Sequence, residues 1–190
     1  HPMAWNNAAC LLRDGEIVLF VEEERLNRFK QAHGLAPVQA LQRCLDEAGI
    51  GLSEVDRIGV GWDAAAWKKR RDKVVWDYQF KQLPLDPDDA RIRYVRHHLT
   101  HVLSAFDPSP FETAACLSFD GTGESEAGLL CRCAEGPPDI LASIPRRESW
   151  GYLYGKVTET LGFEGHRDEG KVMGLAAYGD PSVLGPALLS

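Results

Sequence analysis

The sequence lacks any apolar run that approaches the roughly 20 residues needed to span a bilayer as a helix. No basic segment followed by an apolar one opens the chain, so no secretion signal is predicted. Its five cysteines are scattered and odd in number, which argues against a disulfide framework. Cys131 and Cys133 are interpreted as buried thiols on one face of a strand rather than as a metal pair. Together these features favour a reducing, cytoplasmic location with no membrane attachment.

The chain also lacks an excess of positive charge. Its formal net charge is −7 and its sequence pI is about 5.4. Nucleic-acid binding depends on clustered Lys and Arg, whereas the basic stretches 68–73 and 91–96 are short and flanked by acids. A nucleic-acid partner is therefore not expected. With 190 residues, 44% of them hydrophobic and 26% charged, the composition is typical of one globular domain.

Turn signals and hydrophobic periodicity predict an α/β fold. Asp14-Gly15 between two apolar runs predicts a β-hairpin of strands 8–13 and 16–21. Pro37 is expected to open a helix with Val38, Leu41, Leu45 and Ala48 on one face, and Gly49 to end it. The other predicted elements are strands 55–60, 92–95, 114–119, 128–132 and 140–144, helices 64–78, 150–161 and 170–177, and a loop at 83–87. Hairpins followed by alternating helices and strands favour a mixed sheet.

The segment His97 to His101 contains three of the six histidines. After it, apolar residues follow a helical period, since Leu99, Val102, Leu103 and Phe106 stand at i, i+3, i+4 and i+7. At about 100° per residue, His97 and His101 then share the opposite face, and His98 lies nearer the flank. Two histidines four residues apart on one helical face can bind one metal ion. A surface helix with incidental histidines is the alternative, and spacing alone favours neither.

Two glycine-containing segments are candidates for phosphate contact. The apolar strand 114–119 ends at Asp120-Gly121-Thr122-Gly123, where backbone N–H groups could bind phosphate and the Asp could hold a cation. A plain hairpin turn is the favoured alternative. In the second segment, Gly170, Gly174 and Ala177 would permit close approach of a nucleotide, with Lys171 near an anion. Tight helix packing is the alternative there.

A run of mixed charge follows the second strand and comprises Glu22 to Arg25 with Arg28 and Lys30. Such a run is usually a solvated face. At the carboxyl end of a strand it could also bind a phosphate or a polar substrate.

Taken together, these segments resemble the ATP-dependent O-carbamoyltransferases, a family that makes O-carbamoylated antibiotics and nodulation factors. The resemblance covers nearly the whole chain, and its pieces occur in the family's order. They are Asn7 to Gly15, Val21 to Leu26 with Arg28 and Lys30, His97 to His101, Ser104 to Phe106 with Pro108 to Phe111, Asp120 to Glu124, and Gly170 to Ala176 with Tyr178 and Gly179.

The resemblance implies an actin-like fold (ASKHA, ribonuclease-H-like), that is, a mixed β-sheet flanked by helices. Residues 1–190 would be the N-terminal portion of its Kae1-like domain, and this fragment alone is expected to be inactive. A YrdC-like domain of the full-length chain would make carbamoyl-adenylate from carbamoyl phosphate and ATP. The present domain would then pass the carbamoyl group to the hydroxyl of a small-molecule alcohol. A mononuclear divalent metal, most commonly Fe²⁺, is the implied cofactor beside ATP or carbamoyl-adenylate.

By the same resemblance, specific residues receive roles. The metal ligands would be His97, His101 and Asp120. The nucleotide phosphates would lie near Gly121, Thr122, Gly123, Lys171 and Gly174. The carbamoyl group or the acceptor would lie near Arg25 and Lys30. Where the family has a histidine, a candidate general base, this chain has Asn6, and asparagine cannot act as a base at neutral pH. Either another residue takes the proton or the register differs by a few positions.

Two other functions remain open at this point. Threonylcarbamoyl transfer to tRNA uses the same His-x3-His pair, although the acidic balance and the Glu22 to Lys30 segment favour a small-molecule acceptor. The second is a non-catalytic nucleotide-binding module of the same fold, in which the histidines are incidental. An aminoglycoside, a sugar and a polyketide hydroxyl all remain possible acceptors.

Overall fold

The computed structural model describes residues 6–63 and 80–189. The chain divides into two compact units, His1–Thr100 and His101–Ser190. The predicted helix 64–78 and the basic stretch 68–73 lie outside the described residues.

The first unit begins with the predicted hairpin. Strands β1 (Ala8–Arg13) and β2 (Glu16–Glu22) pair antiparallel, with an irregularity between Leu11 and Leu12. Asp14 and Gly15 have φ values of 54° and 87°, the left-handed conformation that a two-residue hairpin turn requires. The prediction of this hairpin is confirmed, and helix α1 (Glu23–Asn27) follows it directly.

Helix α2 (Val38–Ala48) packs against this hairpin. Pro37 precedes it, and Gly49 ends it with a φ of 65°, so both predicted boundaries are confirmed. Its buried residues are Ala40, Cys44 and Leu45 rather than the predicted set of Val38, Leu41, Leu45 and Ala48. The predicted apolar residues at 38 and 41 instead line a hollow of about 240 Å³ together with Leu52 and Pro84.

A parallel strand pair completes the sheets of the first unit. Strands β3 (Ile58–Val60) and β4 (Ile92–Tyr94) are shorter than predicted. They share a small core with buried Phe80 and partly buried Trp62. The chain then enters helix α3 (His97–Phe106), and the boundary between the units falls within this helix.

The second unit contains an antiparallel sheet of three strands in the order β5, β6, β7. These are β5 (Ala114–Phe119), β6 (Glu126–Cys133) and β7 (Asp139–Pro145). The side chains of Leu129, Cys131 and Cys133 are fully buried on β6. The interpretation of the two cysteines as buried thiols is therefore confirmed.

Three helices follow this sheet, namely α4 (Trp150–Thr160), α5 (Glu169–Leu175) and α6 (Pro181–Leu189). The predicted helix 170–177 ends earlier than expected, because its last residues form a 3₁₀ turn (Ala176–Tyr178). Among the described residues, no helix combines the length and the apolar character that crossing a membrane demands.

The chain is thus a mixed α/β protein, as predicted. Its described strands pair into one parallel and two antiparallel sheets, each of two or three strands. This differs from the single mixed sheet that the sequence predicted.

Candidate metal centre

The three histidines of helix α3 differ in their exposure to solvent. His98 is fully buried and Val102, one turn later, is 2% exposed, so this side of the helix faces the interior. His97 is half-buried, and the side chain of His101 is 47% exposed. The predicted pair therefore occupies a different side of the helix from His98. One helical turn separates the members of the pair, so their spacing follows from the helix itself.

His97 is oriented by the residues that follow β3. Its ring stacks on Trp62 with ring centres 4.0 Å apart and an angle of 17° between the planes. Its Nδ1 lies 3.4 Å from the carbonyl oxygen of Gly61. A carbonyl can only accept, so this contact forms a hydrogen bond only in a tautomer that carries a proton on Nδ1.

Asp120 stands at the end of β5. Its N–H donates to the Ala127 carbonyl at 3.0 Å, which holds its backbone to β6. One carboxylate oxygen, Oδ1, accepts from Gly121 N–H at 2.6 Å. The other, Oδ2, lies 3.3 Å from Nε2 of His101. The Asp120 side chain is 43% exposed, so its carboxylate is accessible from solution.

One potential ligand atom from each of His97, His101 and Asp120 lies within 4.8 Å of the others, the one such group found in the described parts of the chain. Ligand atoms about 2.1 Å from a single ion are roughly 3–4 Å apart, so small side-chain adjustments would suffice. Two imidazoles and one carboxylate suit iron, zinc, copper or nickel and leave coordination positions open. The donor set therefore fits a mononuclear transition-metal ion.

The loop after Asp120 connects β5 and β6 as a hairpin, which was the favoured alternative. Gly123 N–H donates to the Glu126 carbonyl at 2.6 Å, and the Thr122 hydroxyl donates to the Gly123 carbonyl at 2.9 Å. Since Gly121 N–H is bonded to the Asp120 carboxylate, two loop amides already have partners within the loop. Phosphate contact by Gly121, Thr122 and Gly123 stays a prediction.

The second predicted nucleotide segment lies on α5. Lys171 is bonded to Asp168 at 2.7 Å, and this hydrogen bond lowers the pKa of that carboxyl group. A Cβ added at Gly174 would meet no atom within 4 Å. Gly174 therefore makes no close packing contact with the described residues, so tight helix packing does not explain this glycine. A role of Lys171 and Gly174 near a nucleotide stays a prediction.

The first unit gathers the other predicted residues around one cavity. Glu24, Arg25, Arg28 and Lys30 line a volume of about 220 Å³, with three cations against one carboxylate. Arg25 is bonded to Glu22 at 3.0 Å. The backbone N–H of Asn6 donates to the Gln31 carbonyl at 2.8 Å, which places Asn6 beside the turn that carries Lys30. The cluster is suited to an anionic group.

Three residues at this centre were not singled out in the sequence. Trp62 orients His97, while Ser149 and Gly151 contact the Asp120–Gly121 backbone. A serine before a helix indicates an N-cap, but no local pattern tells which distant loop a cap will touch. Nothing local marks Trp62 either, because its stacking partner lies 35 positions later in the chain.

Comparison with known proteins identifies the group to which these features belong. Residues 86–188 match the family model described as carbamoyltransferase N-terminus. This range contains His97, His101 and Asp120, together with the whole of the second glycine segment.

Individual relatives extend the similarity to most of the chain. Nodulation protein NolNO of Sinorhizobium fredii is 38% identical over 193 residues, which cover 93% of this chain and 28% of the relative. An uncharacterized Synechocystis protein, sll1178, is 32% identical over 94% of this chain and 34% of its own length. Nodulation protein NolO of Bradyrhizobium diazoefficiens is 41% identical over 46% of this chain and 16% of its own length. The chain thus spans about a third of these relatives, or less.

Proposed function

The chain belongs to the carbamoyltransferase family, and from this membership we propose that it forms part of an enzyme that transfers a carbamoyl group to a hydroxyl. The observation that carries the proposal is the convergence of His97, His101 and Asp120, one ligand atom of each lying within 4.8 Å of the others. The donor set is the kind that binds an open-sided metal ion.

The reaction we propose is transfer from carbamoyl-adenylate. The acceptor hydroxyl oxygen forms a bond to the carbamoyl carbon, the bond from that carbon to the phosphate oxygen breaks, and AMP leaves with the electron pair. The hydroxyl proton goes to a base. A bound metal ion would supply Lewis-acid stabilisation of the phosphate oxygens or of the carbonyl.

The residues of this chain have distinct tasks in that reaction. His97, His101 and Asp120 would hold the ion, since one potential ligand atom of each lies within 4.8 Å of the others. Arg25 and Lys30 line the cationic cavity and neutralise the charge that develops on the leaving phosphate or on the carbamoyl oxygen. Asn6 lies beside the Lys30 turn, where its amide can orient the acceptor by hydrogen bonding, but it cannot take the proton.

The finer features of the proposal follow from the family. We propose Fe²⁺ as the ion, since two histidines and one carboxylate with open positions are typical of non-haem iron sites. The domain would be actin-like, and a YrdC-like domain of the full-length protein would supply carbamoyl-adenylate from carbamoyl phosphate and ATP. The acceptor would be a hydroxyl of a sugar or another small natural product, in keeping with a relative named as a nodulation protein.

The metal site is tested by measuring the metal content of the purified chain. Wild type should hold close to one transition-metal ion per chain, and His97→Ala, His101→Ala and Asp120→Ala should each lose most of it. His33→Ala is the matched control, because His33 is exposed and lies outside the cluster, so this variant should keep the ion. Equal metal content in all five proteins would contradict the assignment.

The reaction is tested with the full-length protein, carbamoyl phosphate, ATP and a candidate alcohol. The expected result is AMP release that depends on the alcohol and that falls at least about a hundredfold in Asp120→Ala. A metal-loaded protein that binds ATP but never forms AMP would support the non-catalytic nucleotide-binding module instead.

A further inference from the structure

The N-terminus of helix α4 touches the backbone that carries Asp120. The hydroxyl of Ser149 accepts from Tyr152 N–H at 3.0 Å, which makes Ser149 the N-cap of this helix. The same hydroxyl lies 2.8 Å from the Gly121 carbonyl oxygen and 3.2 Å from that of Asp120. The single hydroxyl proton of Ser149 is therefore donated to the loop that begins at Asp120. Ser149 is 6% exposed, so these hydrogen bonds are shielded from water.

Gly151 makes the second contact between α4 and this loop. A Cβ at position 151 would lie 2.7 Å from the nitrogen and 2.8 Å from the Cα of Gly121, and 3.0 Å from the carbonyl carbon of Asp120. All three are backbone atoms, which cannot swing aside as a side chain can. Any other residue at 151 therefore has to push the Asp120–Gly121 peptide away from the helix.

These two contacts bear on the direction of the Asp120 carboxylate. Oδ1 is bonded to Gly121 N–H, the amide of the Asp120–Gly121 peptide, whose carbonyl oxygen lies 3.2 Å from the Ser149 hydroxyl and whose backbone Gly151 faces. The remaining oxygen, Oδ2, faces His101. A displacement of the Gly121 peptide would rotate the carboxylate and move Oδ2 away from the imidazole.

We propose that Ser149 and Gly151 are positioning residues of the metal centre, which fix the Gly121 peptide so that Asp120 presents Oδ2 beside His101. The inference rests on the proposed metal-binding function and adds two residues that do not touch the ion. Groups that orient a metal ligand typically change metal affinity by 10- to 100-fold when they are lost.

The sharpest test compares two glycine-to-alanine changes in the same helix. Gly151→Ala forces the loop to move, whereas a Cβ at Gly155 meets only side-chain atoms of Glu169 and His166 at 3.5 Å or more. Both changes replace a glycine of α4 by alanine, which favours helix formation. With Co²⁺ as the probe, titrated by its visible absorption, Gly151→Ala should weaken binding at least about tenfold relative to Gly155→Ala.

A second pair separates the hydroxyl of Ser149 from general damage to α4. Ser149→Ala removes the bond to the loop and should weaken Co²⁺ binding, and Ser149→Thr, which keeps a hydroxyl, should restore much of the affinity. Thr158→Val is the control, since Thr158 is fully buried in α4 and donates to the Tyr154 carbonyl at 2.9 Å, remote from the loop. The Thr158→Val variant should bind Co²⁺ with the affinity of wild type.

A double-mutant cycle shows whether the effect passes through Asp120. In an Asp120→Ala background, adding Gly151→Ala should change the residual Co²⁺ affinity by less than about twofold. If wild type binds Co²⁺ and Gly151→Ala binds it equally well, the positioning role is wrong while the metal site stands. If wild type binds no Co²⁺, the metal site itself is wrong, and the positioning role fails with it.

Discussion

Arg91 illustrates how one side chain holds several segments of the first unit together. Its Nη1 donates to the carbonyls of Leu52 and Val55 at 2.6 and 3.2 Å, while Nε and Nη2 contact the Asp89 carboxylate. The guanidinium group is planar and has five donors in a fixed arrangement, which a lysine cannot reproduce. Arg91→Lys should therefore lower the thermal unfolding midpoint by a few degrees. Arg93→Lys on the same strand is the control, because the acceptors of Arg93 among the described residues are the nearby carbonyls of Ala90 and Ile92.

The same pair predicts a pH dependence. The hydrogen bond from Arg91 is the largest cause that lowers the pKa of Asp89 to about 2, and its reference value is 3.8. A carboxyl group whose pKa is lowered on folding stabilises the fold above its unfolded pKa, and this contribution disappears as the pH falls through the folded pKa. The difference in unfolding midpoint between wild type and Asp89→Asn should thus be constant above about pH 4 and shrink between pH 4 and pH 2. A difference that stays constant to pH 2 would contradict the assignment.

At the scale of residues, only part of the candidate metal centre could be predicted from the sequence. The pairing of His97 with His101 followed from helical spacing, because both lie on one element. Asp120 came from a family resemblance, since it lies on another strand and no local pattern joins it to the helix. Ser149 and Gly151 were out of reach, because their importance comes from contact with a loop about 30 positions earlier in the chain.

At the scale of elements, local signals located the secondary structure well. The hairpin at Asp14-Gly15 and the ends of α2 are set by backbone conformations that few residues adopt, so they could be predicted from the sequence. The buried face of α2 was shifted by tertiary contacts. Cys44 of α2 contacts the Leu19 carbonyl of β2, and Glu23 reaches the helix start. The pairing of strands into three sheets could not be predicted either, because it depends on contacts between distant segments.

Glu23 joins two of these elements. It is 3% exposed, and its carboxylate accepts the N–H of Ala40 in the first turn of α2 at 2.8 Å. A negative group at a helix N-terminus also interacts favourably with the helix dipole. Glu23→Ala should therefore lower the free energy of unfolding by roughly 1–3 kcal/mol, as measured in urea, because a buried donor loses its partner. Glu23→Gln, which keeps an acceptor oxygen, should lose less, and equal losses would contradict a role as hydrogen-bond acceptor.

The burial of two cysteines on β6, the central strand of its sheet, predicts an order of thiol reactivity. Burial is the main cause that raises the pKa of Cys133 to about 12, and a hydrogen bond with Cys116 adds to it. Cys131 is likewise fully buried, whereas Cys10 is exposed. A maleimide followed by peptide mass spectrometry should label Cys10 before Cys131 and Cys133, which should react only after unfolding because the reagent cannot reach buried thiols. Rapid labelling of Cys133 in the folded chain would contradict the burial of this face.

At the scale of the whole molecule, composition bears on which acceptor the proposed transfer would use. The chain has a net charge of −7. Many of its described arginines and lysines are also paired with acids, as in Arg132–Asp139 and Lys156–Glu159. Each neutralised phosphate makes nucleic-acid binding stronger and more sensitive to salt, so a surface of this kind should bind RNA weakly. A small neutral or cationic alcohol meets no such electrostatic penalty.

This leads to a prediction that separates small-molecule transfer from the tRNA alternative. Titration of the chain with fluorescently labelled tRNA should give no saturable binding below about 100 µM at 0.15 M salt, which is weaker than the range of about 1–100 µM typical of non-specific nucleic-acid binders. The cationic cavity at Arg25, Arg28 and Lys30 is a positive feature at a predicted site, so charge reversal there provides the control. Arg28→Glu should leave the tRNA result unchanged while weakening binding of a small phosphate compound. Micromolar tRNA binding that falls steeply with salt and is lost in Arg28→Glu would overturn the small-molecule assignment, because this cavity would then bind the RNA backbone.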